Sequence, residues 1–164
     1  PAGYAAMPGA SSETDGVVIH YTCFGRTGTL MSTRNKGRTT THEIGHWLGL
    51  AHIWGPSGTC GDDGVADTPT QEKSNSGVPA FPHVSACSAD ANGDMFMSYM
   101  DYTDDAGRIM FSTGQSDRMN ATIYGYRAGL LSSAGSAEPG TSPTVCNVPT
   151  GLSASSINKS IVCF

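Results

Sequence analysis

The chain has 164 residues, 38% of them hydrophobic and 14% charged, which is enough for one globular domain with a sizeable core. Nine basic residues against fourteen acidic ones give a net charge of -5, and no basic stripe exists to neutralise phosphates, which excludes a nucleic-acid partner. No run of about 18 apolar residues occurs, so a helical membrane span is excluded too.

In chain order, Gly3 to Met7 reads as a short edge strand ended by Pro8-Gly9. Gly16 to Tyr21 (GVVIHY) is β-branched and aromatic, and predicts a second strand. A Gly/Thr/Arg-rich loop follows to Gly37, then a helix from Arg38 to Gly49, capped by Thr39 or Thr40 and carrying Ile44, Trp47 and Leu48 as apolar positions. From Trp54 to Asp94 no hydrophobic period is visible; an irregular segment of that length suggests function or bound ions. A second helix is predicted from Thr113 to Leu130, capped by Ser112 or Thr113, with Met119, Ile123, Tyr126 and Leu130 as its buried face. Residues 132–147 read as a Ser/Pro/Gly linker, and 148–164 as the truncated start of a β domain or a disordered tail. The catalytic unit would then be residues 1–131.

The chain begins at Pro1 without a methionine or a signal-peptide pattern, and reads as a processed product or a piece of a longer protein. Its five cysteines, none in a CxxC pair, argue against a cysteine zinc site and for an exported protein with one or two disulfides. His20, His83, Trp47 and Trp54 are expected to be ordinary packing or surface residues, and nothing pairs Cys23 with a catalytic base.

The chemistry is concentrated in His42-Glu43-Ile44-Gly45-His46-Trp47-Leu48-Gly49-Leu50-Ala51-His52, the pattern HExxHxxGxxH. Histidines four apart on a helix project their imidazoles from one face, one turn apart. Gly49 can turn the chain in a left-handed conformation so that His52 returns as a third ligand. Three protein ligands leave a fourth zinc position open, as in catalytic rather than structural sites. Glu43 is adjacent, placed to take a proton from a metal-activated water.

The extended motif is that of the metzincin metallopeptidases. With MSYMDYTDD (97–105) downstream, GDDGVADTP (61–69) between them, DGVVI upstream and FSTGQSDRM after, the chain resembles the pappalysin family, most closely its secreted microbial, ulilysin-type members, over roughly Gly3 to Leu131. The resemblance implies an α+β zincin fold: a small mixed sheet over an active-site helix, then a C-terminal subdomain carrying a methionine turn at Met100. It also implies strands and a backing helix ahead of Gly3 that this sequence does not contain. The implied activity is that of a secreted zinc-dependent endopeptidase acting on internal bonds of proteins and peptides, with Glu43 as general base and Tyr102 stabilising the oxyanion. Structural calcium is also implied, with Asp62, Asp63, Asp67 and Thr68 as candidate ligands. The family's disulfides map onto Cys60–Cys87, present here, and onto Val78 and Gly107, where both cysteines are replaced together. Ala106, after the methionine turn, departs from relatives that carry an acidic residue there and prefer basic substrates.

Overall fold

In the computed structural model, residues 1–56, 59–89 and 91–136 are described, together with the backbone of Val162–Cys163. The β-branched run predicted to be extended forms strand β2 (Val17–Ile19). It pairs antiparallel with β1 (Gly3–Ala5) in the register Gly3↔Ile19, Tyr4↔Val18, Ala5↔Val17. On its other side, β2 pairs antiparallel with β3 (Val162–Cys163). Among the described strands, β1 therefore forms one edge of the sheet. The parallel neighbour that a mixed sheet requires is not among the described strands. The rest of the expected linker and tail, from residue 137 on, lies outside the described residues, as does Cys146.

Helix α1 (Arg38–Trp47) packs beneath the sheet. Neither Thr39 nor Thr40 caps it. Its N-cap is Gly37, in a left-handed conformation with φ 74°, which offers no side-chain cap to the first-turn amides. The cap comes from elsewhere: Asp105 Oδ2 accepts the amide N–H groups of Lys36 (2.8 Å) and Arg38 (3.2 Å). A carboxylate at a helix N-terminus both satisfies orphan donors and complements the helix dipole.

Helix α2 (Thr113–Gly125) begins as expected, at a Ser112 capping box completed by Gln115. It ends earlier than predicted, and the chain continues into a 3-10 turn at Ala128–Ser132. The expected buried face is also wrong at its far end, because Tyr126 and Leu130 are exposed and the buried positions are Gln115 and Thr122. Apolar spacing misled because α2 is anchored by polar groups: Asp67 accepts from Ser112 Oγ (2.7 Å) and from the Gly114 amide (2.9 Å).

Among the described residues no helix or strand interrupts Trp54 to Asp94, which matches the irregular segment expected. It is held by the Cys60–Cys87 disulfide, with Cα atoms 5.4 Å apart, and by the fully buried Asp101. That carboxylate accepts from the Asn75 amide (2.8 Å), Asn75 Nδ2 (2.9 Å) and Gln71 Nε2 (2.8 Å).

A Cβ built on Gly107 would lie 3.5 Å from Val78 Cγ1, so the two positions onto which the resemblance maps a second disulfide face each other. Val78→Cys with Gly107→Cys should therefore form a disulfide under oxidising conditions and stabilise the fold by about 2–4 kcal/mol, read by chemical denaturation with and without reductant. Asp105→Ala should cost about 3–5 kcal/mol in the same assay, because it uncaps α1 and strands the buried Arg108 guanidinium; a loss below about 1 kcal/mol would contradict the role given to Asp105.

Candidate metal and catalytic centre

The turn predicted at Gly49 is a Schellman cap. Gly49 adopts φ 91°, the Leu50 amide donates to Gly45 O (2.9 Å), and the Gly49 amide donates to His46 O (2.9 Å). A Cβ at Gly49 would sit 2.8 Å from Thr122 Oγ1, so both backbone angle and space require glycine there. The reversed chain is then tied down by Ile53, whose amide donates to Met100 O (3.3 Å). His52 is thereby returned to the helix face that carries His42 and His46.

The three imidazoles converge. His46 Nε2 lies 3.1 Å from His42 Nε2 and 3.1 Å from His52 Nε2. Among the described residues they form the one group of three or more His, Cys, Asp or Glu side chains whose ligand atoms lie within 4.8 Å of one another. Three nitrogens each about 2.0–2.1 Å from a tetrahedral ion stand about 3.3 Å apart, so the spacing fits a shared metal. The tautomers fit as well. His42 Nδ1–H donates to Tyr99 O (2.6 Å) and His46 Nδ1–H to Leu50 O (2.8 Å), which leaves the Nε2 lone pairs free. Burial, reinforced by the neighbouring imidazoles, lowers His42 to about 2 and His52 to about 4, and burial lowers His46 also. All three are thus neutral at pH 7, as ligation demands.

Met100, fully buried, packs against α1, where a Cβ on Gly45 would approach its Sδ to 2.5 Å. Gly45 is the helix position that lets the methionine turn pass this closely. The turn is set by Ser98, whose Oγ accepts the Met100 amide (3.1 Å) and whose carbonyl accepts the Asp101 amide (3.1 Å). Tyr102 follows on the open side of the cluster, 44% exposed, with its ring centroid 4.8 Å from His52 and 5.6 Å from His42.

Glu43 is 94% buried by its 6% residual exposure, and β1 crosses directly over it: a Cβ on Gly3 would lie 2.9 Å from Glu43 Cγ. Burial raises its carboxyl to about 7, with the Arg108 charge opposing. Arg34, Arg108, Thr39, His42, Glu43, Tyr102 and the segment Pro1–Gly3 enclose a cavity of about 280 Å³.

The remaining expectations fare unevenly. Trp54 is not core packing; it stacks on His52 at 4.4 Å, with 8° between the ring planes. Trp47 flanks the helix, donating to Asp15 (2.9 Å) beneath the Arg127 guanidinium at 3.7 Å. In the acidic loop, Asp62 accepts the Gly64 amide (2.6 Å), Asp63 accepts the Val65 amide (3.0 Å) and Thr68 Oγ1 (2.6 Å), and Asp67 caps α2. Ala106 is exposed and does not line the cavity beside Glu43. Arg34, Arg108, Asp101 and Asp105 carried no signal in the sequence, because their partners or neighbours in the site include residues many positions away.

A family model described as peptidase M43, pregnancy-associated plasma protein-A, matches residues 2–124. An extracellular metalloprotease of Arthroderma benhamiae is 41% identical over 113 residues, covering 65% of this chain and 40% of the relative. One from Colletotrichum graminicola is 39% identical over 134 residues, covering 77% and 46%. Among solved structures, Tannerella forsythia mature mirolysin in complex with a cleaved peptide superposes with a TM-score of 0.72 at 50% identity, covering 75% of this chain and 47% of mirolysin. A promirolysin mutant from the same organism gives 0.71 at 50% identity, covering 74% and 41%. The chain thus spans less than half the length of each of these proteins. The fold is α+β of the metzincin type, and the chain belongs to the peptidase M43 family, that of pregnancy-associated plasma protein-A.

Proposed function

We propose that this chain carries the active site of a zinc-dependent endopeptidase that hydrolyses internal peptide bonds. The observation that carries the reading is the convergence of three neutral histidine Nε2 atoms beside the buried carboxyl of Glu43. His42, His46 and His52 would hold the ion, and their imidazole set with an open position suits zinc. When bound, zinc supplies Lewis acidity that polarises a carbonyl and acidifies water.

The protein's own groups do the rest. Glu43 accepts the proton of the attacking water and returns it to the leaving amine. Tyr102, beside His42 and His52, donates from its hydroxyl to the oxygen that becomes negative in the tetrahedral state. Trp54, stacked on His52, holds that ring in orientation. Extended substrate pairs with the edge strand β1, which passes over Glu43. Substrates are proteins or peptides. The extracellular names of the relatives and the Cys60–Cys87 disulfide favour secretion. No helix among the described residues is long and apolar enough to cross a membrane. Calcium at Asp62, Asp63, Asp67 and Thr68 is proposed on the family resemblance alone; these side chains also hold their loop through hydrogen bonds within the protein.

Hydrolysis of casein should be abolished by a zinc chelator and restored by added zinc. Glu43→Gln should lower kcat by about 10²–10⁴-fold while zinc content, read by atomic absorption, stays at one ion per chain. Turnover near the wild-type rate in that variant would rule out the mechanism. Tyr102→Phe should lower kcat by about 10²-fold with zinc retained; a loss of zinc instead would make Tyr102 a structural support of the site.

A further inference from the structure

The cavity beside Glu43 has two guanidiniums in its wall, Arg34 and Arg108. Since Glu43 hands its proton to the leaving amine, the substrate residue that contributes this amine lies nearest to Glu43. The cavity with Glu43 in its wall is therefore where that residue's side chain goes. This inference rests on the endopeptidase reading above.

Two guanidiniums, Arg34 and Arg108, face this space, and Glu43 itself is the one carboxylate among the lining residues. Arg108 is 98% buried by its 2% exposure, and donates from Nη2 to Asp105 (2.6 Å) and from Nη1 to the Asp101 carbonyl (3.5 Å). Arg34 has no carboxylate partner among the described residues; its fork donates to the carbonyls of Thr103 (2.6 Å) and Tyr102 (3.0 Å). The neighbouring carboxylate Asp105 is already shared among Arg108 and the amides of Lys36 and Arg38. With Asp105 counted, two guanidiniums stand against two carboxylates around the cavity, and the guanidinium without a carboxylate partner among the described residues is that of Arg34. The Arg34 charge is felt at Arg108, where it opposes the protonated form.

Hydrogen-bonding capacity is also left over. Arg108 Nε and Thr39 Oγ1 are both buried without a partner, although both residues line the cavity and both are more than nine-tenths buried. A buried donor left unmet is costly, so such groups in a cavity wall mark a place for a ligand acceptor.

We propose that this cavity selects an acidic side chain, Asp or Glu, on the substrate residue that supplies the leaving amine, with Arg34 as the specificity-determining residue and Arg108 supporting it. A carboxylate entering here supplies acceptors to unused donors and relieves the repulsion between the guanidiniums. A lysine or arginine side chain would meet like charge and no free carboxylate. The exposed Ala106 has no part in this selection.

The test uses the full, zinc-loaded chain and a peptide series that varies only the residue after the scissile bond. Glu and Asp peptides should be cleaved at least about 10-fold faster, as kcat/KM, than the Arg peptide. Arg34→Gln keeps donors for the Tyr102 and Thr103 carbonyls while removing the charge, and should narrow the Glu-to-Arg ratio by about 10-fold. Binding of the same labelled peptides to the Glu43→Gln protein, by fluorescence anisotropy, should rank them in the same order. Preferred cleavage of Arg or Lys peptides, or a flat profile, would overturn the pocket assignment and leave the peptidase reading intact. Selective binding of the Glu peptide with no cleavage of any peptide by the wild type would support the pocket and overturn the peptidase reading.

Discussion

The site depends on two buried carboxylates, Asp101 and Asp105, that flank Tyr102 and fix the methionine turn in place. Asp105 joins the turn to the N-terminus of α1 and to Arg108. Asp101 joins it to the irregular segment through Gln71 and Asn75, and closes on the Tyr102 amide (2.6 Å). One short stretch therefore holds three otherwise separate parts of the chain: the active-site helix, the disulfide-bonded loop, and the segment leading into α2. Buried charge of this kind is a weak source of net stability, because desolvation offsets much of the attraction. Its effect is geometric, since each donor can be satisfied in one arrangement only.

That division of labour follows from composition. The buried apolar residues among those described are few (Ile19, Cys23, Leu50, Ile53, Val65, Phe96 and Met100) and are outnumbered by buried polar ones. Apolar packing is non-directional and would leave long loops poorly specified. Hydrogen bonds to buried carboxylates, and the Asp15–Arg127–Trp47 clamp beside α1, supply direction instead. The Arg127 guanidinium holds the Asp15 carboxyl below its usual range, so the clamp contributes stability above the ordinary carboxylate pKa and loses it as pH falls through the lowered value.

The same low-dielectric setting shapes the chemistry. Burial keeps the three imidazoles neutral and ready to ligate, and holds the Glu43 carboxyl up in the neutral range. Close approach does the remaining work: Gly3 lets β1 cross Glu43, and Gly45 lets Met100 pack closely against α1. Any side chain at either position would push apart surfaces that must touch. On the far side of Glu43, Arg34 and Arg108 line the cavity, and Arg108 is paired with Asp105. The neutral ligands, on α1 and just after it, thus sit close to a pocket whose arginines come from before and after α1 in sequence.

Sequence alone determined what depends on local periodicity and on backbone type. Histidines at positions 42 and 46 share a helix face because of the helical repeat, and Gly49 turns the chain because only glycine is at ease at that φ; the return of His52 follows from both. The Ser112 capping box is equally local. Tertiary structure decided what depends on partners distant in the chain. The cap of α1 comes from Asp105, not from Thr39 or Thr40. The buried face of α2 is set by Gln115 and Thr122 under the anchor of Asp67, not by Tyr126 and Leu130. Trp54 belongs to the site because it folds onto His52, and the arginines enter the pocket from either side of α1 in sequence. Spacing along a chain reports which side chains share a face; only folding reports which charges are brought together, because electrostatic partners need proximity in space and leave no period in the sequence.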